Sequence, residues 1–399
     1  MKIWFLSYRY WPPDFGGELL ISIERFRTLG EKGHEITVLT SGKPGFPKRE
    51  TVNGLRILRS PVIHDSRFGR LLRRIVFFLW ALRYLATSEY DIVHFGSLPG
   101  INRATSALSG YLLTKVAHKK KAGTVLVYSL FDTGQEAVAL QGIQGKLREK
   151  FLTTLDCVVG VSTAIYESLA KICPTKAALI FCGVQDELFR PIDPEERLRV
   201  RQEVKIPPGD VVFVFLGSIG HRKGFDVLAN AFAKLSQKHP HWKLLVIGPR
   251  NSSENQNIDP QEVDTVMRPL KGNKQVIFLG RVNDRTRLAQ LLGTADVFVF
   301  PSRREGMGIA PMEAMATGTP PIIARIPGVT DLASIDNVTG LYITPGNQAE
   351  LEQAMEKLGS DPELRRQMGA NARRQIVNNF GWQKHIEEWE QVYSDICSR

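Results

Sequence analysis

Short apolar runs alternate with segments of helical period along the whole chain, and this alternation constrains the fold more than any other feature. In the first half the runs are Lys2–Ser7, Glu35–Thr40, Asp91–Phe95, Thr124–Ser129, Cys157–Ser162 and Ala177–Phe181, with a helix over about 18–30 after the first. Strands separated by helical segments pair in parallel, and the helices cover both faces of the sheet. The rhythm breaks at Arg190–Asp210, where Pro191, Pro194, Pro207 and Pro208 stand among charged residues. It resumes with Val211–Gly217, Lys243–Gly248, Gln275–Gly280, Val297–Pro301, Pro321–Ala324 and Gly340–Thr344. The expected fold class is α/β, with two Rossmann-like doubly wound domains facing across a cleft. The expected boundaries are 1–190, a linker with a short charged helix at 191–210, a second domain at 211–378, and a tail at 379–399. The tail carries Trp382, Ile386, Trp389, Tyr393 and Ile396 at helical spacing, which reads as a packing helix. Ligands in such sheets bind beyond the carboxyl ends of the strands.

A chain of 399 residues with 43% apolar content can bury two cores. Its four cysteines, Cys157, Cys173, Cys182 and Cys397, form no C-x-x-C pair, so a reducing, cytoplasmic compartment is expected. The N-terminal apolar run soon meets prolines and reads as a strand rather than a signal peptide. No apolar stretch is long enough to span a membrane. The formal net charge of +11 favours anionic partners.

The stretch REGMGIAPMEAMATGTPPII, Arg304–Ile323, follows one strand and leads into the next. Glu305 falls in a loop with Gly306 and Gly308, and Glu313 in a short helix over Ile309–Thr317 that Gly318 ends. A helix start offers unpaired N–H groups to an anion. Carboxylates on either side can accept hydrogen bonds from hydroxyls on the same ligand. Phosphate and hydroxyls together suggest a nucleotide-sugar; an ordinary surface loop and helix is the alternative. Arg222 and Lys223 precede another helix, where cations oppose the helix dipole by ~0.3–1 kcal/mol each, a cost that a bound diphosphate would reverse. A third loop, Tyr10–Glu18, follows the first strand and opens a helix with Gly16 and Gly17.

Glu305 and Glu313 at their spacing, Arg222-Lys223-Gly224, Gly16-Gly17 and the FLGRV run Phe278–Val282, in this order, resemble the retaining glycosyltransferases of family 4. The similarity runs from Gly33–Thr40 to Thr339–Asn347. It implies a GT-B fold and transfer of a sugar from a nucleoside-diphosphate sugar. A UDP-sugar is favoured and a GDP-sugar is an alternative. The nucleotide-sugar is a substrate, and no cofactor or metal is expected. By this resemblance, Arg222 and Lys223 hold the diphosphate, Glu305 meets the sugar, and these three carry the catalytic part. Glu313 meets the ribose. Gly306 and the backbone of Met307, Gly308, Ile309 and Ala310 line the sugar and phosphate. Gly217, Ser218, Gly248, Arg281 and Val282 complete the donor site, the last three near the base. Gly16 and Gly17 let the first domain close on the donor.

No D-x-D pair occurs, so the expected reaction is metal-independent, with positive charge from Arg222, Lys223 and the helix start stabilising the departing diphosphate. The chain departs from the family on the acceptor side. Phe131 precedes Asp132 where relatives carry His-Asp, and Cys182-Gly183-Val184-Gln185 stands for Asn-Gly-Val-Asp. A sugar-nucleotide-binding protein of weak activity and a GT-B epimerase are therefore the alternative functions. A phosphorylase would need a pyridoxal-phosphate lysine and a much longer chain.

In Arg67–Leu85, arginines interleave with IVFFLWAL, and Arg67, Arg70, Arg73 and Arg74 share a sector of roughly 120°. Two readings stand: a helix lying on an anionic membrane, aided by the basic run His118–Lys121, or a core helix with a solvated basic end. The first places the protein on the inner membrane face beside a lipid-linked acceptor. Nucleic acid is not an expected partner, because no recognised module accompanies the charge.

Overall fold

The computed structural model describes the chain except residues 9–16, 64–66, 97–103, 129–141, 251–258, 331–335 and 399. It divides into two units, Met1–Cys182 with Gln383–Arg399, and Gly183–Trp382.

The first unit holds β1 (Lys2–Leu6), β2 (Glu35–Thr40), β3 (Arg49–Val52), β4 (Leu55–Arg59), β5 (Ile92–Phe95), β6 (Gly123–Tyr128), β7 (Cys157–Gly160) and β8 (Ala177–Leu179). They form one sheet in the order β3-β4-β2-β1-β5-β6-β7-β8. All pairings are parallel except β3 with β4. That hairpin was absent from the strands expected above, although its signal is in the sequence. Asn53 and Gly54 join the strands with φ of 50° and 78°, the positive angles a two-residue Asn-Gly turn requires. β1 lies at the centre with Phe5 and Leu6 buried on opposite faces of the sheet, Phe5 on the side of the Gly17–Glu31 helix that follows it. Phe5 meets Phe26 of that helix with ring centroids 4.5 Å apart. The terminal helix Trp382–Cys397 returns the chain to this unit, and Tyr393 donates to or accepts from His94 of β5 at 2.7 Å, both side chains fully buried.

The second unit holds β9 (Val211–Leu216), β10 (Trp242–Ile247), β11 (Val276–Gly280), β12 (Val297–Phe300), β13 (Pro321–Ala324) and β14 (Leu341–Ile343), all parallel, in the order β11-β10-β9-β12-β13-β14. Residues 191–210, read from their prolines as a linker, fold within this unit. Their helix Pro194–Glu203 is capped by Asp193, which accepts from the Glu196 N–H. Buried Arg201 of that helix donates to the Thr294 and Asp210 carbonyls and to the Asp296 carboxylate. Three acceptors satisfy the buried guanidinium and fix the helix to the sheet. The sheet order reverses between β9 and β12. Successive strands grow outward from these two in opposite directions, so the loops beyond their carboxyl ends splay and leave a crevice.

Packing distinguishes the sides of the Arg67–Thr87 helix. Phe77, Ala81 and Leu85 are buried along one side of the helix, the side on which position 73 falls. Arg73 turns back to donate to the Ile63 carbonyl. The opposite side is exposed and apolar.

Candidate donor site

The crevice of the second unit is built by two loops. The loop after β9 runs through the short 3-10 turn His221–Lys223 to Gly224, which caps the helix Phe225–Lys238. The loop after β12 runs from Pro301 to Gly308, which caps the helix Ile309–Ala316 without a side-chain hydrogen bond. The loops are stitched together. The Arg303 N–H donates to the Arg222 carbonyl at 2.9 Å, and the Arg303 guanidinium grips Asp226 with two bonds of 2.7 and 2.8 Å. Asp226 lies in the first turn of its helix, where a carboxylate also suits the dipole. Gly224 makes the approach possible: its φ is +68°, and a Cβ there would lie 1.9 Å from the Pro301 carbonyl oxygen. On the other side, Glu262 accepts from the His221 N–H at 2.7 Å and holds the turn.

This arrangement gathers the charged residues expected from the sequence. Glu305 Oε1 accepts from Lys223 Nζ and from Ser302 Oγ, each at 2.6 Å, and lies 3.5 Å from Arg222 Nη1. Burial pulls the Lys223 ammonium below its usual range, Glu305 opposes that pull, and Arg222 adds to it. The two cations at the helix start thus have an internal counter-ion, which sequence reasoning did not foresee. Fully buried Ser302 was missed as well. Its position directly after the strand-ending Pro301 was the available signal.

Glu313 lies in the Ile309–Ala316 helix, buried, where Arg285 Nη1 donates to its Oε1 at 2.6 Å. Burial raises the Glu313 carboxyl above its usual range, and Arg285 opposes the rise. Arg285 also reaches Gln185 Oε1 at 3.4 Å, and its guanidinium lies 4.7 Å from the centre of the Phe189 ring. Residues at 185, 189, 285 and 313 meet here, so no local pattern could have singled out Arg285. Gln185, a departure from the family at the sequence level, thus has a partner.

Glycines floor the crevice. The strand ends meet in a row in which Gly217 N–H donates to the Ile247 carbonyl and Gly248 N–H to the Gly280 carbonyl. A Cβ at Gly248 would lie 1.9 Å from the Gly217 carbonyl oxygen. Ser218 follows Gly217 in the loop after β9. Arg281 and Val282 follow β11 at the sheet edge, two strands from β9 and on the same carboxyl side. Gly328, missed in the sequence, accepts from the Gly308 N–H and packs so closely on Gly306 that a Cβ would come within 2.3 Å of its carbonyl oxygen. Gly306, Met307, Ile309 and Ala310 line the approach to the same helix start. Gly17 opens its helix in the first unit. Gly16, Phe131 and Asp132 lie outside the described residues. Among the described residues, no three His, Cys, Asp or Glu side chains are grouped as a metal ion would need.

A parallel sheet with basic side chains and close-packed glycines in the loops at its switch point has the form of a ligand-binding α/β unit. Comparison with known proteins agrees. Residues 24–188 match the family model described as Glycosyltransferase Family 4, and residues 196–375 the model described as Glycosyl transferases group 1. The chain belongs to the family 4-like glycosyltransferases with the GT-B fold. It is 25% identical to an uncharacterized glycosyltransferase of Methanocaldococcus jannaschii, over 98% of each chain. Among solved structures it superposes on the sucrose-phosphate synthase of Thermosynechococcus elongatus with a TM-score of 0.81 and 21% identity, over 100% of this chain and 99% of that one. It superposes on Anabaena HepE, solved in complex with UDP-glucose, with a TM-score of 0.76 and 17% identity, over 99% and 100% of the two chains.

Proposed function

We propose that the protein is a retaining glycosyltransferase that takes its sugar from a UDP-sugar without a metal ion. The observation that carries the reading is the cluster of Lys223, Arg222 and Glu305 at the switch point, beside the start of the Ile309–Ala316 helix. A diphosphate displaces its hydration most readily where fixed positive charge already stands. Lys223, Arg222 and the dipole of the Ile309–Ala316 helix supply that charge and stabilise the leaving group as the glycosidic bond breaks. Glu305 then exchanges part of its hold on Lys223 for the sugar hydroxyls, and Glu313 accepts from the ribose. The complex of the structurally similar HepE with UDP-glucose supports uridine as the base. Retention follows from the family resemblance. The acceptor in this reading is lipid-linked or membrane-proximal and is reached from the cytoplasmic side, consistent with the +11 charge.

Calorimetric titration with UDP, GDP and ADP tests the donor. UDP is expected to bind at least tenfold tighter than the others, about 1.4 kcal/mol. With a UDP-sugar, EDTA should leave turnover unchanged, and the product's anomeric proton coupling should match the donor's. Preference for GDP or ADP, loss of activity on chelation restored by Mg²⁺, or an inverted product would each overturn its part of the reading.

A further inference from the structure

We propose that the outward faces of the helices Arg67–Thr87 and Ala104–Lys119 form a docking surface for an anionic phospholipid membrane. Leu71, Leu72, Ile75 and Leu79 fall within about 100° of the first helix, taking roughly 100° per residue. They are 53, 40, 45 and 55% exposed. The neighbouring helix exposes Leu108 and Leu112, one turn apart. Single exposed leucines need no explanation, but a stripe of them along one helix, with a further pair on the helix packed beside it, is a candidate interaction surface.

The occupant follows from charge. Neither helix contains an aspartate or glutamate, while the first carries five arginines and the second Lys115, His118 and Lys119. On the first helix, exposed Arg83 borders the apolar stripe, about 20° beyond Leu72 at the same 100° spacing. Lys119, Lys120 and Lys121 are exposed where the second helix ends. An apolar stripe with exposed cations beside it matches a bilayer interface, where leucines enter the acyl boundary and cations meet phosphate headgroups. A helix of this kind lies on the surface rather than across it, and among the described residues no helix is long and apolar enough to span a membrane. The membrane-proximal acceptor of the proposed function would gain its support from this face, whereas the donor chemistry is independent of it.

Flotation with phosphatidylcholine vesicles, with and without phosphatidylglycerol, tests the proposal on the full chain. Wild type should bind the anionic vesicles, and part of that binding should survive raised salt, because leucine insertion is not screened. Leu79→Ser should weaken binding about tenfold, as expected for withdrawing most of one leucine from an apolar phase. Arg83→Glu with Lys120→Glu should abolish the preference for phosphatidylglycerol. Melting temperature is read in every variant. If Leu79→Ser melts early, the charge-reversed variant decides. No binding to anionic vesicles at low salt, or wild-type binding by both variants, overturns the proposal. So does self-association in sedimentation velocity that Leu79→Ser abolishes while vesicle binding is absent, since a second copy would then cover the face.

Discussion

Replacing Arg285 with methionine should destabilise the second unit by stranding Glu313. The carboxylate is almost wholly buried and accepts from the Arg285 guanidinium at 2.6 Å. Breaking one side of a buried ion pair costs about 3–5 kcal/mol, and the 21% exposure of the Arg285 side chain argues for the lower end, about 3 kcal/mol. In a unit of this size that is a fall in melting temperature of about 6–12 °C. The pH dependence carries a sign. Glu313 titrates above its ordinary 4.5, so the folded state holds the proton more tightly than the unfolded chain. The stability it contributes is full below the unfolded value and is lost as pH rises through the folded value. Without Arg285 the folded value rises further, so Arg285→Met should lose more stability than wild type over the range above the ordinary 4.5. Scanning fluorimetry across that range measures both effects. Arg285→Met with Glu313→Gln removes the stranded charge and should melt above Arg285→Met alone. A pH-independent drop of less than about 2 °C, or a double variant worse than the single one, would refute the reasoning.

Three further outcomes are expected. Lys223→Ala should weaken UDP binding by at least about tenfold in calorimetry, because it removes a cation from the diphosphate and leaves Glu305 less compensated; unchanged affinity would displace the donor site. Gly224→Ala should lower the melting temperature and abolish UDP binding, since its φ of +68° and the 1.9 Å approach to Pro301 leave no room for a methyl group; a parent-like variant would mean the loops need not meet. His385, depressed by burial and by Arg25 to about 3, must gain a proton on unfolding in acid. It should cost the first unit up to about 1.4 kcal/mol per pH unit as pH falls from its ordinary 6.5 toward 3, and His385→Gln should flatten the acid limb of a pH–melting curve.

The strands were legible in the sequence because a strand buried on both faces must be a short apolar run, whatever it pairs with. Glu305, Glu313, Arg222 and Lys223 were legible for a related reason: each follows the end of such a run, where an α/β sheet places its ligands. The β3–β4 hairpin was equally local, written in Asn53-Gly54, and was overlooked rather than hidden. Other features had no local signature. Arg285 matters because the fold brings it to Glu313 and Gln185, and Gly328 matters because its backbone meets Gly306. The Arg67–Thr87 helix marks the boundary most clearly. Its sequence is apolar around much of its circumference and fixes that it is a helix. Which side is buried was decided by the neighbours that took Phe77, Ala81 and Leu85 into the core, leaving Leu71, Ile75 and Leu79 outside. Hydrophobic burial has no direction of its own, and only tertiary packing supplies one.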